Sequence, residues 1–185
     1  MKYFIALFGV MYSVLSFSQS TFNPDTVCYQ TPGSVYQVTN DPGNIYTWSV
    51  SSPGILVSGQ GTNSIVVDWS NASPGLITNG VSVFPTNQFG CVGPTVDINV
   101  YILNVVLAIF PLELCENEPC ETLSASPTGG EWSGIGIVGD EFCPSISGVG
   151  VFTSNYTYTL AGCTFTTTGI NTVHPTPTIT PITHN

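Results

Sequence analysis

Closely spaced turn residues constrain this chain more than any other feature of its sequence. It contains 19 glycines and 14 prolines in 185 residues, and they separate short runs rich in β-branched and aromatic residues. No segment keeps the period of about 3.6 residues of an amphipathic helix, whereas short strands at regular spacing predict an all-β sandwich. The predicted strands are Ser34–Val38, Ile45–Val50, Ser64–Trp69, Gly80–Phe84 and Val96–Leu103.

Residues 1–18 have the composition of a secretory signal peptide. Lys2 precedes an apolar stretch from Phe4 to Leu15, and the small residues Ser16 and Ser18 precede the expected cleavage site. The apolar stretch is shorter than the about 20 residues of a membrane-spanning helix. We therefore expect an exported protein, periplasmic or at the cell surface, that is not inserted in a membrane after cleavage. A retained N-terminal anchor is the alternative.

The charge balance excludes several classes of function. One basic residue, Lys2, stands against eleven acidic residues, for a net charge of −10, and removal of the leader leaves no Lys or Arg. Such a chain cannot neutralise nucleic-acid phosphates or hold anionic lipid headgroups. It also lacks the cations of Schiff-base and phosphoryl-transfer chemistry. We expect no nucleic-acid partner, and the acidic surface favours a basic protein partner.

Groups for catalysis or metal binding are scarce. Both histidines, His174 and His184, lie near the C-terminus, where no rigid surroundings hold a catalytic base. The closely spaced acidic residues lack the regular spacing of a calcium loop and are interpreted as a solvated surface. They are Glu113, Glu116, Glu118, Glu121, Asp140 and Glu141. We predict no enzymatic activity, no cofactor and no metal site.

All six cysteines follow the leader, and an even number in an exported chain predicts disulfides. Zinc is the alternative, but the spacings are long and no His lies nearby. Pairing within each half of the chain gives one bond in the first half, while three pairings are open in the second. The favoured bonds are Cys28–Cys91, Cys115–Cys163 and Cys120–Cys143.

Weak internal repetition divides the chain into two units. Each half has a cysteine close to its first strand and a Gly-Cys pair near its end, Gly90-Cys91 and Gly162-Cys163. We predict one sandwich over residues 22–102, a second, smaller one over residues 103–173 and a tail over residues 174–185. A unit of about 70 residues buries little apolar surface, so two crosslinks in the second unit are physically reasonable.

The tail alternates proline with threonine. Its prolines exclude it from the interior of a sheet and predict an extended, polyproline-like segment. The simplest interpretation is a linker or a frayed terminus. The alternative is a peptide that binds a protein partner by addition to a sheet edge. The candidate contact residues are Pro177, Ile179, Pro181, Ile182 and His184.

Two ordered sets of motifs occur, one in each half. The first consists of Tyr46–Val50, Gly59–Trp69, Pro74-Gly75 and Gly90–Gly93. The second consists of Cys115–Glu118, Gly129–Gly134, Tyr156–Tyr158 and Gly162-Cys163. The first set resembles the PKD-like, immunoglobulin-like domains of exported surface proteins in gliding, type IX-secreting Bacteroidota, and the second is similar to a related repeat.

This resemblance implies two tandem disulfide-bonded immunoglobulin-like sandwiches. It also implies a structural or adhesive subunit of a cell-surface assembly, related to gliding or type IX secretion, with a protein partner at the cell surface or outer membrane. The repeats usually lack cysteines at positions 120 and 143, which supports pairing Cys120 with Cys143. Asp25-Thr26-Val27 resembles an O-glycosylation site of the same bacterial group, with Thr26 as the acceptor.

Tryptophans provide a second hypothesis about function. Trp48 falls where immunoglobulin-like sandwiches place a core tryptophan. Trp69 and Trp132 are candidates for stacking against a ligand, if either is exposed. A carbohydrate-binding module is therefore one alternative, and a truncated piece of a longer repeat adhesin is another.

Overall fold

The computed structural model of the protein describes residues 24–184, whose regular structure is almost entirely β-strand. The predicted signal peptide, residues 1–18, lies outside the described residues, as does Asn185. The first-half strands are β1 (Asp25–Cys28), β2 (Ser34–Gln37), β3 (Ile45–Val50), β4 (Ile55–Ser58), β5 (Ser64–Asp68), β6 (Gly75–Thr86) and β7 (Val96–Leu103).

The described second half contains nine strands of different lengths and one helical turn. The strands are β8 (Ala108–Phe110), β9 (Glu113–Cys115), β10 (Glu121–Thr122), β11 (Ser124–Ser126), β12 (Glu131–Gly134), β13 (Ile137–Val138), β14 (Glu141–Phe142), β15 (Gly150–Leu160) and β16 (Cys163–His174). The helix α1 (Pro144–Ser147) lies between β14 and β15. No described helix is long and apolar enough to span a bilayer.

The first-half strands form two sheets around one core. One sheet has the order β1-β7-β6-β3, and the other has the order β2-β5-β4. β1 runs parallel to β7, and the remaining neighbours are antiparallel. Alternate residues point inward, so Ile65 and Val67 of β5 are 1 % and 0 % exposed. This is the β-sandwich that the turn spacing predicts.

Two tryptophans fill the core of this sandwich. Trp48 and Trp69 are 5 % and 0 % exposed, which confirms the core interpretation of Trp48. The Trp48 Nε1 donates to the Thr62 carbonyl oxygen at 2.8 Å, and the Trp69 Nε1 donates to the Tyr36 hydroxyl at 3.1 Å. Each buried indole N–H therefore has a partner. Burial, followed by the neighbouring Asp25 carboxylate, raises the pKa of Tyr36, so this hydroxyl stays protonated.

The turn after β4 covers the open edge of β3. Gly61 and Tyr46 exchange two backbone hydrogen bonds of 3.0 and 3.3 Å. The Gln60 side-chain amide accepts from the Trp48 backbone N–H at 2.8 Å and donates to the Trp48 carbonyl oxygen at 2.9 Å. Gln60 thus pairs with β3 as a residue of a neighbouring strand would. Free sheet edges invite pairing with other chains, and this edge is closed from within.

The second half is organised around a long hairpin. Its main sheet has the order β12-β15-β16-β9, and two small sheets, β10-β14-β13 and β11-β8, accompany it. Every residue of β15 is paired with β16, from Gly150 with Val173 to Leu160 with Cys163. A second cluster of buried residues, separate from the first, lies here and is built on Leu123, Phe142 and Val173.

The predicted strands agree with the structure where the alternation of side chains is regular. Ile45–Val50 and Val96–Leu103 coincide with β3 and β7. The predicted strand Gly80–Phe84 is only the second part of β6, because the register with β7 shifts between Ile77 and Val81 and interrupts the alternation. The short strands β1 and β4, the individual strands β8 to β16 and the helix α1 are absent from the prediction.

Two of the three favoured disulfides are wrong. The structure contains the predicted Cys120–Cys143 bond together with Cys28–Cys163. The favoured bonds Cys28–Cys91 and Cys115–Cys163 are not formed, and Cys91 and Cys115 are free thiols.

Strand register explains why the bonds Cys28–Cys91 and Cys115–Cys163 do not form. Cys28 pairs with Leu103 at the end of β7, whereas Cys91 lies in the turn before β7 begins. β7 is roughly 24 Å long, far more than the about 4.4–6.8 Å between the Cα atoms of a disulfide. Cys115 likewise pairs with His174 at one end of β16, and Cys163 begins the strand at the other end, about 36 Å away.

The Cys28–Cys163 bond should be the larger contributor to stability. It closes a separation of 135 residues, compared with 23 for Cys120–Cys143, and loop-closure entropy assigns about 5 and about 3 kcal/mol to loops of these lengths. In guanidinium unfolding, we expect Cys163→Ser to lose more free energy of unfolding than Cys120→Ser.

Cys91→Ser is the matched control for this comparison, because Cys91 is unpaired. It should leave the free energy of unfolding unchanged. A loss in Cys91→Ser as large as in Cys163→Ser would contradict the observed pairing. Non-reducing peptide mapping then identifies the bonded cysteines directly.

Replacing Gln60 by Ala should open the edge of β3. Two hydrogen bonds to Trp48 are lost, which should lower the free energy of unfolding by about 1 to 2 kcal/mol. Gln37→Ala is the control, because Gln37 is an exposed glutamine at the end of β2. Its effect should stay within about 0.5 kcal/mol. Equal effects of the two substitutions in urea unfolding would show that Gln60 does not pair with β3.

Candidate functional site

The C-terminal tail is hydrogen-bonded to the rest of the protein at its base, and the described residues after Thr176 are exposed. Thr176 donates from its backbone N–H and its Oγ1 to Glu116 Oε1, at 3.0 and 2.6 Å. The Glu116 N–H donates to the His174 carbonyl oxygen at 3.0 Å. Further along, Ile179 and Ile182 are 92 % and 99 % exposed. The other candidate contact residues, Pro177, Pro181 and His184, are exposed as well.

Carboxylates of the predicted acidic cluster organise the base of the tail. Glu113 Oε2 lies 4.0 Å from His174 Nε2, and Glu118 Oε2 accepts from the Cys115 N–H at 2.6 Å. Two hydrogen bonds lower the pKa of Glu116. The one from the Thr176 hydroxyl has the larger effect, and the one from the Thr176 backbone N–H has the smaller effect. Within residues 24–184, no three His, Cys, Asp or Glu side chains are grouped to hold a metal ion.

Trp69 cannot stack against a ligand. Its side chain is fully buried, because the turn before β4 packs against the ring. A Cβ placed on Gly54 of that turn would lie 2.4 Å from Trp69 Cζ3. The prediction of a stacking platform at Trp69 is therefore wrong, and the residue belongs to the core of the first sandwich.

Trp132 lies differently, at the wall of a groove of about 300 Å³. It is half-buried on β12, and its ring centroid is 4.7 Å from that of Tyr156 at an interplanar angle of 47°. The Tyr156 hydroxyl accepts from the Gly130 N–H and donates to the Pro127 carbonyl oxygen, both at 2.7 Å. The groove is also lined by Leu123, Ser124, Ala125, Thr128, Gly129 and Asp140.

Thr26 is accessible on a sheet edge. It is an exposed residue of β1 and pairs with Tyr101 of β7, which in turn pairs with Leu76 of β6. The O-glycosylation of Thr26 stays a prediction, and its acceptor hydroxyl lies on an outer strand of the sandwich.

Sequence reasoning missed an apolar turn between β6 and β7. Phe89 and Val92 are 81 % and 65 % exposed and flank the free thiol of Cys91. Asn87 Oδ1 accepts from the Phe89 and Cys91 backbone N–H groups at 3.0 and 2.9 Å. The sequence Asn87-Gln88-Phe89-Gly90 contains the signal for this turn, because Asn accepts such bonds in turns. The predicted Cys28–Cys91 bond instead assigned Cys91 a crosslinking role.

Comparison with known proteins supports the fold of the first sandwich. The PKD-like domain family matches residues 15–100, which contain all of β1 to β6 and the beginning of β7. No curated protein matches the chain. The match agrees with the observed sandwich of four and three strands and supports an all-β, immunoglobulin-like, PKD-like fold.

Two solved structures are similar to the chain at low identity. The EC1–2 fragment of human protocadherin-24 is 10 % identical, with a TM-score of 0.35, and the alignment covers 84 % of this chain and 96 % of that one. Titin-A168169 is 15 % identical, with a TM-score of 0.25 and coverages of 82 % and 94 %.

Proposed function

We propose that this protein is an exported, non-enzymatic structural or adhesive subunit of a bacterial cell-surface assembly, related to gliding or type IX secretion. A protein partner at the cell surface or outer membrane binds its C-terminal tail. This proposal rests on the tail. It is hydrogen-bonded to Glu116 at Thr176, and the side chains of Ile179 and Ile182 beyond that point are in solvent.

The chemistry of the tail suits it to bind a protein. Burial of an isoleucine side chain contributes about 1.5–3 kcal/mol, so Ile179 and Ile182 together can supply substantial affinity. Prolines hold the segment extended before binding and reduce the entropy that a partner must remove. Residues 175–184 contain no acidic side chain, so the segment does not share the repulsion of the acidic body.

An adhesive or structural role also fits the rest of the molecule. The match to the PKD-like domain family supports an interaction module, and two disulfides fit an exported protein. We further propose that residues 22–102 and 103–173 are two tandem sandwiches, because each half has its own cluster of buried residues. The tail, 174–185, then extends from the second.

A second candidate function is carbohydrate binding. The observation in its favour is the groove beside Trp132, which holds a half-buried indole next to hydroxyl groups and a carboxylate. Trp69 contributes nothing to this function, because it is buried.

Acid should release the base of the tail. The pKa of Glu116 in the folded protein lies below its ordinary 4.5, so its hydrogen bonds to Thr176 are complete above that value. They are lost as the pH falls through the lowered pKa. The Thr176 amide signal in NMR spectra should therefore shift on acidification below about pH 4.5.

Glu116→Gln should remove this transition, and Glu121→Gln should retain it. Glu121 is an exposed glutamate on β10 and serves as the matched control. A Thr176 signal that titrates identically in the Glu116→Gln variant would contradict the anchor.

Partner capture should require the free part of the tail. The full mature protein, a variant that ends at Thr176 and the double variant Ile179→Asp/Ile182→Asp are used to capture proteins from the native envelope. We expect only the full protein, and neither of these variants, to capture an outer-membrane or secretion partner. Thr178→Asp/Thr180→Asp introduces the same charge beside the isoleucines and should weaken capture less. Identical partners with all proteins would identify the tail as a linker.

A further inference from the structure

We propose that the groove beside Trp132 binds a pyranose ring that carries no acidic group, either a neutral sugar or an amino sugar, as part of a longer glycan. This inference sharpens the second candidate function and is independent of the tail. It names a site and a ligand class from the residues that line the groove: Leu123, Ser124, Ala125, Thr128, Gly129, Gly130, Trp132, Asp140 and Tyr156.

The aromatic wall provides a surface for the apolar face of a sugar. Trp132 pairs with Tyr156 across β12 and β15, and the contact between their rings, 4.7 Å between centroids, fixes the indole. Trp132 is half-buried, packs against the second cluster of buried residues on one side and lines the groove. The C–H face of a pyranose can pack on such a ring, while its hydroxyls turn toward polar groups.

The polar rim supplies partners for those hydroxyls. Ser124 and Thr128 carry hydroxyl groups and Asp140 carries an exposed carboxylate, all at the same groove. A hydroxyl can donate or accept, whereas an ionised carboxylate accepts only. A sugar with neighbouring hydroxyls, or with an ammonium group, can satisfy all three side chains.

Charge decides against acidic sugars. The only Lys or Arg of the chain is Lys2, and the described residues that line the groove include no Lys or Arg. A uronic acid or sulfated sugar would approach Asp140 on a protein of net charge −10 without a compensating cation. A neutral ring meets no such penalty, and an amino sugar gains a favourable interaction with Asp140.

The groove is formed before any ligand arrives. The Pro127 carbonyl oxygen and the Gly130 N–H both bond to the Tyr156 hydroxyl. A Cβ on Gly130 would lie 2.4 Å from the Thr157 carbonyl oxygen and 2.5 Å from Tyr156 Cζ. Only glycine lets this loop pack so closely, and a preformed loop lowers the entropy cost of binding.

Intrinsic fluorescence and calorimetry can test the site in the full mature protein. Trp48 and Trp69 are buried, so a change in emission on ligand addition reports mainly on Trp132. The probes are neutral β-glucan oligosaccharides, chitosan oligosaccharides and oligogalacturonates. We expect binding of a neutral or amino oligosaccharide and none of the acidic one.

Variants separate binding from folding. Trp132→Ala should weaken binding at least about tenfold, and Trp132→Phe should restore part of it. Thr128→Tyr fills the groove at an exposed position without removing the contact between Trp132 and Tyr156, so it should abolish binding in a protein that melts normally. Asp140→Asn should weaken the amino sugar more than the neutral one.

Three results would overturn the proposal. They are failure of all neutral and amino probes, equal binding of the acidic probe, and binding that Thr128→Tyr leaves unchanged. The variant that ends at Thr176 should bind sugar as the full protein does, so failure of this site and failure of the tail proposal can be told apart.

Discussion

The disulfide between Cys28 and Cys163 is the constraint on which the arrangement of the chain depends. It joins the end of β1 in the first sandwich to the start of β16 in the second half, across 135 residues. The buried residues form two separate clusters, one in each half, and one long-range crosslink between the halves removes much of the disorder available to the unfolded chain. The free thiols of Cys91 and Cys115 lie a strand length away from this bond.

Hydrogen bonding inside a chain without internal Lys or Arg must use neutral groups and carboxylates. Gln60 closes an edge of β3 with its amide, Tyr36 accepts from the buried Trp69, and Glu116 holds the tail at Thr176. The surfaces proposed for binding likewise use neutral groups and carboxylates. The tail offers apolar contacts without charge, and the groove offers an indole with hydroxyls and one carboxylate.

Trp69 and Trp132 have similar local sequences, but one is buried and the other lines a groove. Each follows an acidic residue in a strand-like segment. Trp69 is covered by a turn that packs at Gly54, whereas the loop before Trp132 is drawn onto the Tyr156 hydroxyl and leaves the indole at the edge of a groove. The turn that covers Trp69 and the tyrosine that holds the loop before Trp132 both come from other parts of the chain, so alternation along the strand could not distinguish the two residues.

The all-β class, the strands β3 and β7 and the core position of Trp48 follow from the sequence alone, because they depend on alternation and turn residues over a few positions. The partners of Cys28 and Cys163, the burial of Trp69 and the anchor of Thr176 on Glu116 emerge only in the folded chain. Each of these joins residues that are far apart in the chain. Their proximity follows from strand register and from how strands meet at each end of a sheet, which no local pattern encodes.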